Sequence, residues 1–564
     1  MGNNAVIENN GMAENDHWWK ESVVYQIYPR SFQDTNGDGI GDLRGVISRL
    51  GYLHDLGIDV IWLCPVYDSP NDDNGYDIRD YEQILDEFGT MTDMDELLTE
   101  AGKYGIRIIM DLVANHTSDE HAWFIESRSS LDNPKRDWYI WKPGKDGKEP
   151  TNWESIFGGS VWEYDERTGE YYFHAFSKKQ PDLNWENPEV RQAIYRMMER
   201  WIDKGIAGFR VDAITFIKKD QMYPQLPADE NRALAPLNAG CLNQPGILDF
   251  LREMNREVLK ARNVMTVAEA PGVPVEQVPE YLDENSGVFT MLFQFDHVDL
   301  DMKPHTKAVY HPWKLTDFKR ELSKWQAENG KYGWLALYLE NHDHVRSVSK
   351  FGNDGAYRVQ SAQMLAAYYF LMRGTPFIYQ GQEIGMTNGP FDSVDEYRDI
   401  QSLQIYREER ALGRPEQEIM DYLAKRSRDQ GRTPMQWNSG PEAGFTTGKP
   451  WLKVNPNSRT INVESELADE HSVLHFYRRL IKLRRGSKAL VHGGYEEIFA
   501  DSEQIGGYRR SYGGERWTVL CNFTDQKVPV PMPDAQHLVL SNVTGEREAG
   551  VMQPYEASIF KETL

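Results

Sequence analysis

Four short runs of the sequence set carboxylates beside histidine or arginine: Asp111–His116 (DLVANH), Gly208–Ile214 (GFRVDAI), Thr266–Ala270 (TVAEA) and Glu340–Asp343 (ENHD). Singly, each acid reads as a helix cap or as the partner of a nearby arginine. Brought together, Asp212, Glu269 and Asp343 would repel one another unless a proton or a substrate charge were shared, so such a cluster is costly as structure. With His116, His342 and Arg210 beside it, the group suits the cleavage of an acetal through a cationic transition state. One carboxylate attacks, a second, protonated one donates to the leaving oxygen, and fixed negative charge favours the oxocarbenium ion. Arg210 lies two residues before Asp212, so on a strand both side chains share a face. Its cation is then expected to favour the ionised form of Asp212.

The elements that must position these residues are legible as alternating patterns. Strand-like runs occur at 23–28, 59–63, 107–113, 208–213, 264–269, 289–295, 334–339 and 375–379, with helix-length amphipathic stretches at 43–56, 189–204, 247–262, 317–329 and 357–372. Eight such units predict a (β/α)8 TIM barrel, an α/β fold whose chemistry sits at the C-terminal ends of the strands. That rule places Asp212, Glu269 and Asp343 at the ends of the fourth, fifth and seventh strands. The stretch 116–185 carries no βα unit and is dense in Trp, Tyr, Gly and Lys, which predicts a small inserted domain. Short strands with Gly-rich turns predict a C-terminal antiparallel β-sandwich domain. The expected division is 14–115 and 186–485 for the barrel, 116–185 for the insert and 486–564 for the β domain.

Composition narrows the partners. A formal charge of −25 over 564 residues disfavours nucleic acid and anionic membranes. No stretch approaches the roughly 20 apolar residues of a membrane span, and the polar, acidic first residues lack a secretory signal's basic end and apolar run. The three cysteines, Cys64, Cys241 and Cys521, argue against a disulfide framework and fit a reducing cytoplasm. The sequence leaves a monomer or a weak homo-oligomer open.

From Trp18 to the C-terminus, the four motifs and their order resemble glycoside hydrolase family 13, the α-amylase family. Gln180–Trp185 (QPDLNW) adds a likeness to its oligo-1,6-glucosidase and α-glucosidase subgroup. The resemblance implies Asp212 as nucleophile, Glu269 as general acid and then base, and Asp343 as the group that binds sugar hydroxyls beside the cleaved bond. It implies that His116 and His342 bond the same sugar, and that Tyr76, Phe157 and Phe176 line the pocket. It further implies that Asp73 binds the far hydroxyls of a non-reducing glucose and pairs with Arg428. That pair would close the pocket beyond one sugar and make the enzyme exo-acting. Gln180 is carried over as a sugar contact or a brace for the insert. The implied activity is a retaining exo-α-glucosidase on short α-1,4- or α-1,6-linked oligosaccharides. A transglucosylating or disaccharide-isomerising relative is the alternative, and a non-catalytic scaffold barrel a further one.

Departures from the family pattern fall on the side of the leaving group. Ala213 follows the nucleophile where Val is common in α-1,6-preferring members, a difference of only about 1–3 kcal/mol. Ala268 replaces Gly before the acid, His344-Val345-Arg346 stands for Gln-Pro-Arg, and Gln430-Gly431 for Asn-Ala. The segment 300–313 lacks the arginine-rich loop of sucrose isomerases. No cofactor is expected for catalysis. The run from Asp34 to Asp42 spaces oxygen donors two apart: the side chains of Asp34, Asn36, Asp38 and Asp42, with the carbonyl of Ile40. Hard oxygens at that spacing suit Ca²⁺, with Mg²⁺ as the alternative. Position twelve is Gly45 rather than the Glu of an EF-hand, and an Asx-rich turn without an ion is the plain alternative. The resemblance implies a structural ion.

Overall fold

The computed structural model describes residues 17–228, 232–283, 286–302, 308–545 and 548–564. The expected first barrel residues and the N-terminal run therefore lie in part outside the described residues, as does part of 300–313. Eight parallel strands form the centre: β1 (Val24–Ile27), β2 (Val60–Leu63), β3 (Arg107–Val113), β4 (Gly208–Asp212), β5 (Met265–Glu269), β6 (Met291–Phe293), β7 (Ala336–Leu337) and β8 (Thr375–Tyr379). They pair in the order β6-β5-β4-β3-β2-β1-β8-β7, and a bridge between Leu292 and Leu335 joins the two ends. The expected TIM barrel is thus present, with a thin seam. β6 and β7 are shorter than the runs 289–295 and 334–339, because a single bridge is all that pairs them.

Aromatic rings fill the barrel. Phe293 lies 4.9 Å from Phe377, 5.0 Å from Tyr338 and 5.5 Å from Trp62 between ring centres. Trp19 is buried at the bottom, where Thr375 Oγ1 donates to its carbonyl (2.6 Å). The helices outside follow their sequence signals. Pro188–Lys204 begins with Asn187 accepting from the Glu189 N–H and Pro at its first turn, and ends at a left-handed Gly205. Its Val190, Ile194, Met198 and Trp201 face the sheet. The stretch 43–56 divides instead into Leu43–Ser48 and Leu50–Leu56, turning at Arg49.

Within 116–185 a three-stranded antiparallel sheet forms from Trp141–Pro143, Trp162–Asp165 and Glu170–Phe173, with Glu170–Phe173 in the middle. Its core is not purely its own. Leu237 and Cys241, from the long β4 loop, pack with Ile140, Trp153, Val161 and Phe173, and Ala235–Pro236 pairs with Trp153–Glu154. The insert is thereby tied to the loop that follows Asp212. At the C-terminus, β9 (Gly494–Ile498), β10 (Ile505–Tyr512), β11 (Glu515–Asn522), β12 (Leu538–Ser541) and β13 (Ala557–Thr563) make one antiparallel sheet. A ribbon of Val528–Pro529 and Val551–Met552 covers one face. The other face docks on the helix Arg358–Phe370, where Tyr508 Oη donates to the Tyr368 carbonyl (2.8 Å). The three cysteines are buried and unpaired.

Gly208 opens β4 with φ +148°, and a Cβ there would sit 1.8 Å from the Met265 carbonyl oxygen of β5. The strand that carries Asp212 reaches its neighbour only because this residue has no side chain. Gly208→Ala is expected to cost about 3 kcal/mol or more, from overpacking and backbone strain together. The measurement is a fall in apparent Tm accompanied by loss of activity in the soluble fraction.

Candidate active site

β4 and β5 deliver two acids side by side. Asp212 ends one strand and Glu269 the other, and the pairing of Val211 with Ala268 brings the ends level. Between them stands Arg210, 2% exposed. Its Nη1 donates to Asp111 Oδ1 (2.9 Å) and Asp212 Oδ1 (2.5 Å), and its Nη2 to Glu269 Oε2 (2.6 Å). Asp111, paired with Arg210 across β3 and β4, is held from its other oxygen by Trp62 Nε1 (2.7 Å). The guanidinium lies 5.2 Å from the Trp62 ring centre. Asp111 and Trp62 had no assigned role in the sequence. The available signal was Asp111 opening one of the four motifs.

Three acids thus share one fixed, buried cation. Burial pushes Glu269 up to about 8 against the pull of Arg210, with Asp212 and Asp343 adding to the rise. Burial also lifts Asp212, to about 6, with Arg210 opposing and Asp111 assisting. Asp212 is therefore ionised and Glu269 protonated at neutral pH, but Arg210 does not make Asp212 more acidic than a free carboxyl. Glu269 Oε2 also accepts from the Ala213 N–H (3.0 Å), which leaves Oε1 to carry the proton. Ala213 achieves this in a left-handed conformation (φ 42°, ψ 34°), a strained backbone directly after Asp212.

Asp343 is not at a strand end, as the motif spacing implied. β7 stops at Leu337, and the acid sits in the following loop because arginines hold it there. Arg432 Nη2 (3.0 Å) and Arg428 Nη1 (3.2 Å) donate to Asp343 Oδ1, and Arg432 Nε to the His342 carbonyl (2.8 Å). Burial alone would raise Asp343, yet His342, Arg428 and Arg432 keep it well below the carboxylate range. His342 is itself depressed to about 3 by burial, so the two arginines are the cations at neutral pH. Its ring sits between Gln26 Nε2 and the Tyr76 hydroxyl, each 2.7 Å away. Gln26 and Arg432 are further positioning residues that the sequence did not single out.

The far end is closed as expected. Asp73, 5% exposed, pairs with Arg428 Nη2 at 3.0 Å. Arg428 is also held by Asp399 through Nε (2.7 Å), another partner unseen in the sequence. Gln180 Nε2 lies 3.2 Å from Asp73 Oδ2 and 3.1 Å from His116 Nε2, which makes it a brace. Phe176 packs on His116 (5.1 Å) and Phe157 (5.7 Å), and Arg428 lies over Phe157 (5.0 Å).

These groups enclose a cavity of about 420 Å³, lined by Asp73, Tyr76, His116, Phe157, Phe176, Asp212, Ala213, Glu269, Asp343 and Arg428 among others. Arg210, Gln180 and His342 do not line it. They stand behind the wall and hold residues that do. The Asp34–Asp42 run folds into a loop apart from this cavity. Asp34 accepts from the N–H groups of Asn36, Gly37 and Gly39, Asp38 from that of Ile40, and Asp42 from those of Thr35 and Gly45. Among the described residues no group of three or more His, Cys, Asp or Glu is gathered as a metal cage.

An acid pair split by its surroundings, a third acid locked in the ionised form and a pocket closed at one end make a glycosidic-bond site in chemical terms. Comparison with known proteins agrees. Residues 26–493 match the family model for the α-amylase catalytic domain. An oligo-1,6-glucosidase of Parageobacillus thermoglucosidasius is 52% identical over 560 residues, covering 97% of this chain and 99% of that one. The crystal structure of isomaltulose synthase from Protaminobacter rubrum superposes with TM-score 0.93 at 42% identity, over 96% and 99% of the two chains. Trehalose-6-phosphate hydrolase of Bacillus licheniformis gives 0.90 at 44%, over 97% and 100%. By its fold, its acids and these matches, the chain belongs to the α-amylase family of glycoside hydrolases.

Proposed function

We propose that this enzyme is a retaining, exo-acting α-glucosidase that releases α-glucose from the non-reducing end of short α-1,4- or α-1,6-linked gluco-oligosaccharides. The single observation that carries the reading is the Asp73–Arg428 pair closing the cavity end next to the acids. A chain can enter only by its terminal sugar. Asp73 accepts that sugar's far hydroxyls and Arg428 donates to them, Tyr76 and Phe176 cover its faces, and His116 and Asp343 bond the hydroxyls near the anomeric carbon. Asp212 attacks that carbon from the β face while Glu269 gives its proton to the departing oxygen. Water, deprotonated by Glu269, then displaces Asp212, and the α configuration is restored. Two carboxyls bonded to one guanidinium are close neighbours, as a retaining pair about 5–5.5 Å apart requires. The similarity to an oligo-1,6-glucosidase supports this specificity, while the similarity to an isomaltulose synthase is what an isomerising enzyme would also show. The oligosaccharide is the partner this reading requires, and a cytoplasmic monomer or weak homo-oligomer is its setting. No helix among the described residues is long and apolar enough to cross a membrane, and the buried, unpaired cysteines fit a reducing compartment.

NMR of fresh product from isomaltose or maltose should show α-glucose first; initial β-glucose, or an oligosaccharide or isomer as main product, rejects the reading. Asp212→Asn should lower kcat by about 10³-fold or more with the fold retained. The pH profile of kcat/KM should be a bell near neutrality. Activity rises as Asp212 loses its proton about pH 6 and falls as Glu269 loses its own about pH 8, with both limbs belonging to the coupled pair.

We also propose that the Asp34–Asp42 loop holds a structural Ca²⁺ or Mg²⁺. The donor set is all hard oxygen, namely Asp34, Asn36, Asp38, Asp42 and the Ile40 carbonyl. Asp38 accepts only from the Ile40 N–H and the Asn36 amide and keeps lone pairs for an ion, whereas Asp34 accepts four hydrogen bonds and would exchange some of them for the metal. Its bond would tie the loop to the segment it already anchors, where Asp34 N–H donates to the Phe445 carbonyl (3.0 Å) and Trp451 N–H to that of Gly39 (3.0 Å). The ion would add stability and no chemistry at the cavity. Ca²⁺ at 100 times its Kd should stabilise the chain by about 2.7 kcal/mol, read as a higher Tm that EDTA reverses and Asp38→Ala abolishes.

A further inference from the structure

Resting on the glucosidase reading, we infer that His344 is a specificity-determining residue that hydrogen-bonds a hydroxyl of the leaving sugar. His344 lines the catalytic cavity and is 8% exposed, yet its buried Nε2 has no hydrogen-bond partner. Leaving a buried polar atom unsatisfied costs more than a made bond returns, so an imidazole without a partner in a cavity wall points to a ligand. The ring is fixed on its apolar sides by Phe295 and Tyr338, each 6.2 Å between ring centres. Its backbone is fixed too. The His344 N–H donates to the Asn341 carbonyl (3.2 Å), and its own carbonyl lies against Gly431, where a Cβ would come within 2.4 Å. The absent side chain at 431 lets this loop sit against the turn that bears Arg428 and Arg432.

The place of His344 selects the leaving sugar. Asp73 and Arg428 close one end, so the remaining volume lies on the other side of Glu269. There, in barrel order after β5, come Phe295 beyond β6 and His344 beyond β7, with Asp299 and Arg426 in the same wall. Arg426 is committed to Asp301 (2.7 Å) and Asp299 (3.4 Å), whereas the imidazole beside it is uncommitted. Burial, then Lys350 and Arg426, hold His344 well below the usual histidine value against the opposing pull of Asp343, with His297 assisting. The ring is therefore neutral at the working pH, with one nitrogen to donate and one to accept. A sugar hydroxyl does both, whereas an aryl leaving group offers no matching donor.

The test compares kcat/KM for isomaltose with that for p-nitrophenyl α-glucoside. His344→Phe keeps the packing against Phe295 and Tyr338 but removes the nitrogens, and the isomaltose-to-aryl ratio should fall about tenfold. His344→Gln restores a donor and an acceptor and should bring the ratio back to within about threefold of wild type. Where the phenylalanine variant does not fold, His344→Leu gives the same reading with a smaller side chain. An unchanged ratio in the apolar variant, with both substrates still cleaved or falling in parallel, overturns the inference and leaves the glucosidase reading standing. A wild-type enzyme that frees no glucose from isomaltose or maltose overturns both.

Discussion

Arg210 is the fixed positive charge against which Asp111, Asp212 and Glu269 must all be balanced, and the rest of the site is arranged around that shortage. Three carboxyls cannot all ionise next to one buried guanidinium, so one proton stays. Burial, together with the charges of Asp212 and Asp343, leaves it on Glu269, whose Oε2 is already occupied by N–H donors. The protonated and the ionised carboxyl are thereby separated by environment and not by residue type. Asp111 never touches the cavity, yet without its share of the guanidinium the division between the other two would differ.

A second charge system stands beside the first and is less short of cations. Asp343 faces two arginines, and Asp73 and Asp399 share one of them. Two cations here serve three acids and both donate to Asp343, so Asp343 stays ionised where Glu269 does not. The same Arg428 that fixes Asp343 also closes the pocket at Asp73, so the site's electrostatics and its exo geometry depend on one side chain. The inserted unit is part of this arrangement. Its Phe157 and Phe176 line the cavity, its Gln180 braces Asp73 and His116 from behind, and the β4 loop residues Leu237 and Cys241 pack into the insert's core. Packing therefore couples the insert to the strand that presents Asp212.

Much of this was legible in the chain. The eight βα units, the insert, the C-terminal sheet, and the identities of Asp212 and Glu269 follow from periodicity and motif, because a strand's end is fixed by local pattern and barrel topology by strand order. Asp73 and Arg428 lie 355 positions apart. Their pairing came from resemblance alone, since nothing in local sequence encodes a contact across that distance. The loop position of Asp343 is not legible in the sequence for a related reason: a strand's length depends on its neighbour, and among the described residues the β6–β7 seam supplies a single bridge.

By itself, then, the sequence determined the barrel, the order of its acids and the class of bond they could cleave, since each depends on short-range spacing and residue type. Only the tertiary structure decided which acid holds the proton, which residues touch the cavity and which stand behind it, and where an imidazole was left without a partner. Those outcomes depend on burial and on charges converging from distant segments. Burial and long-range electrostatics exist only once the chain is folded.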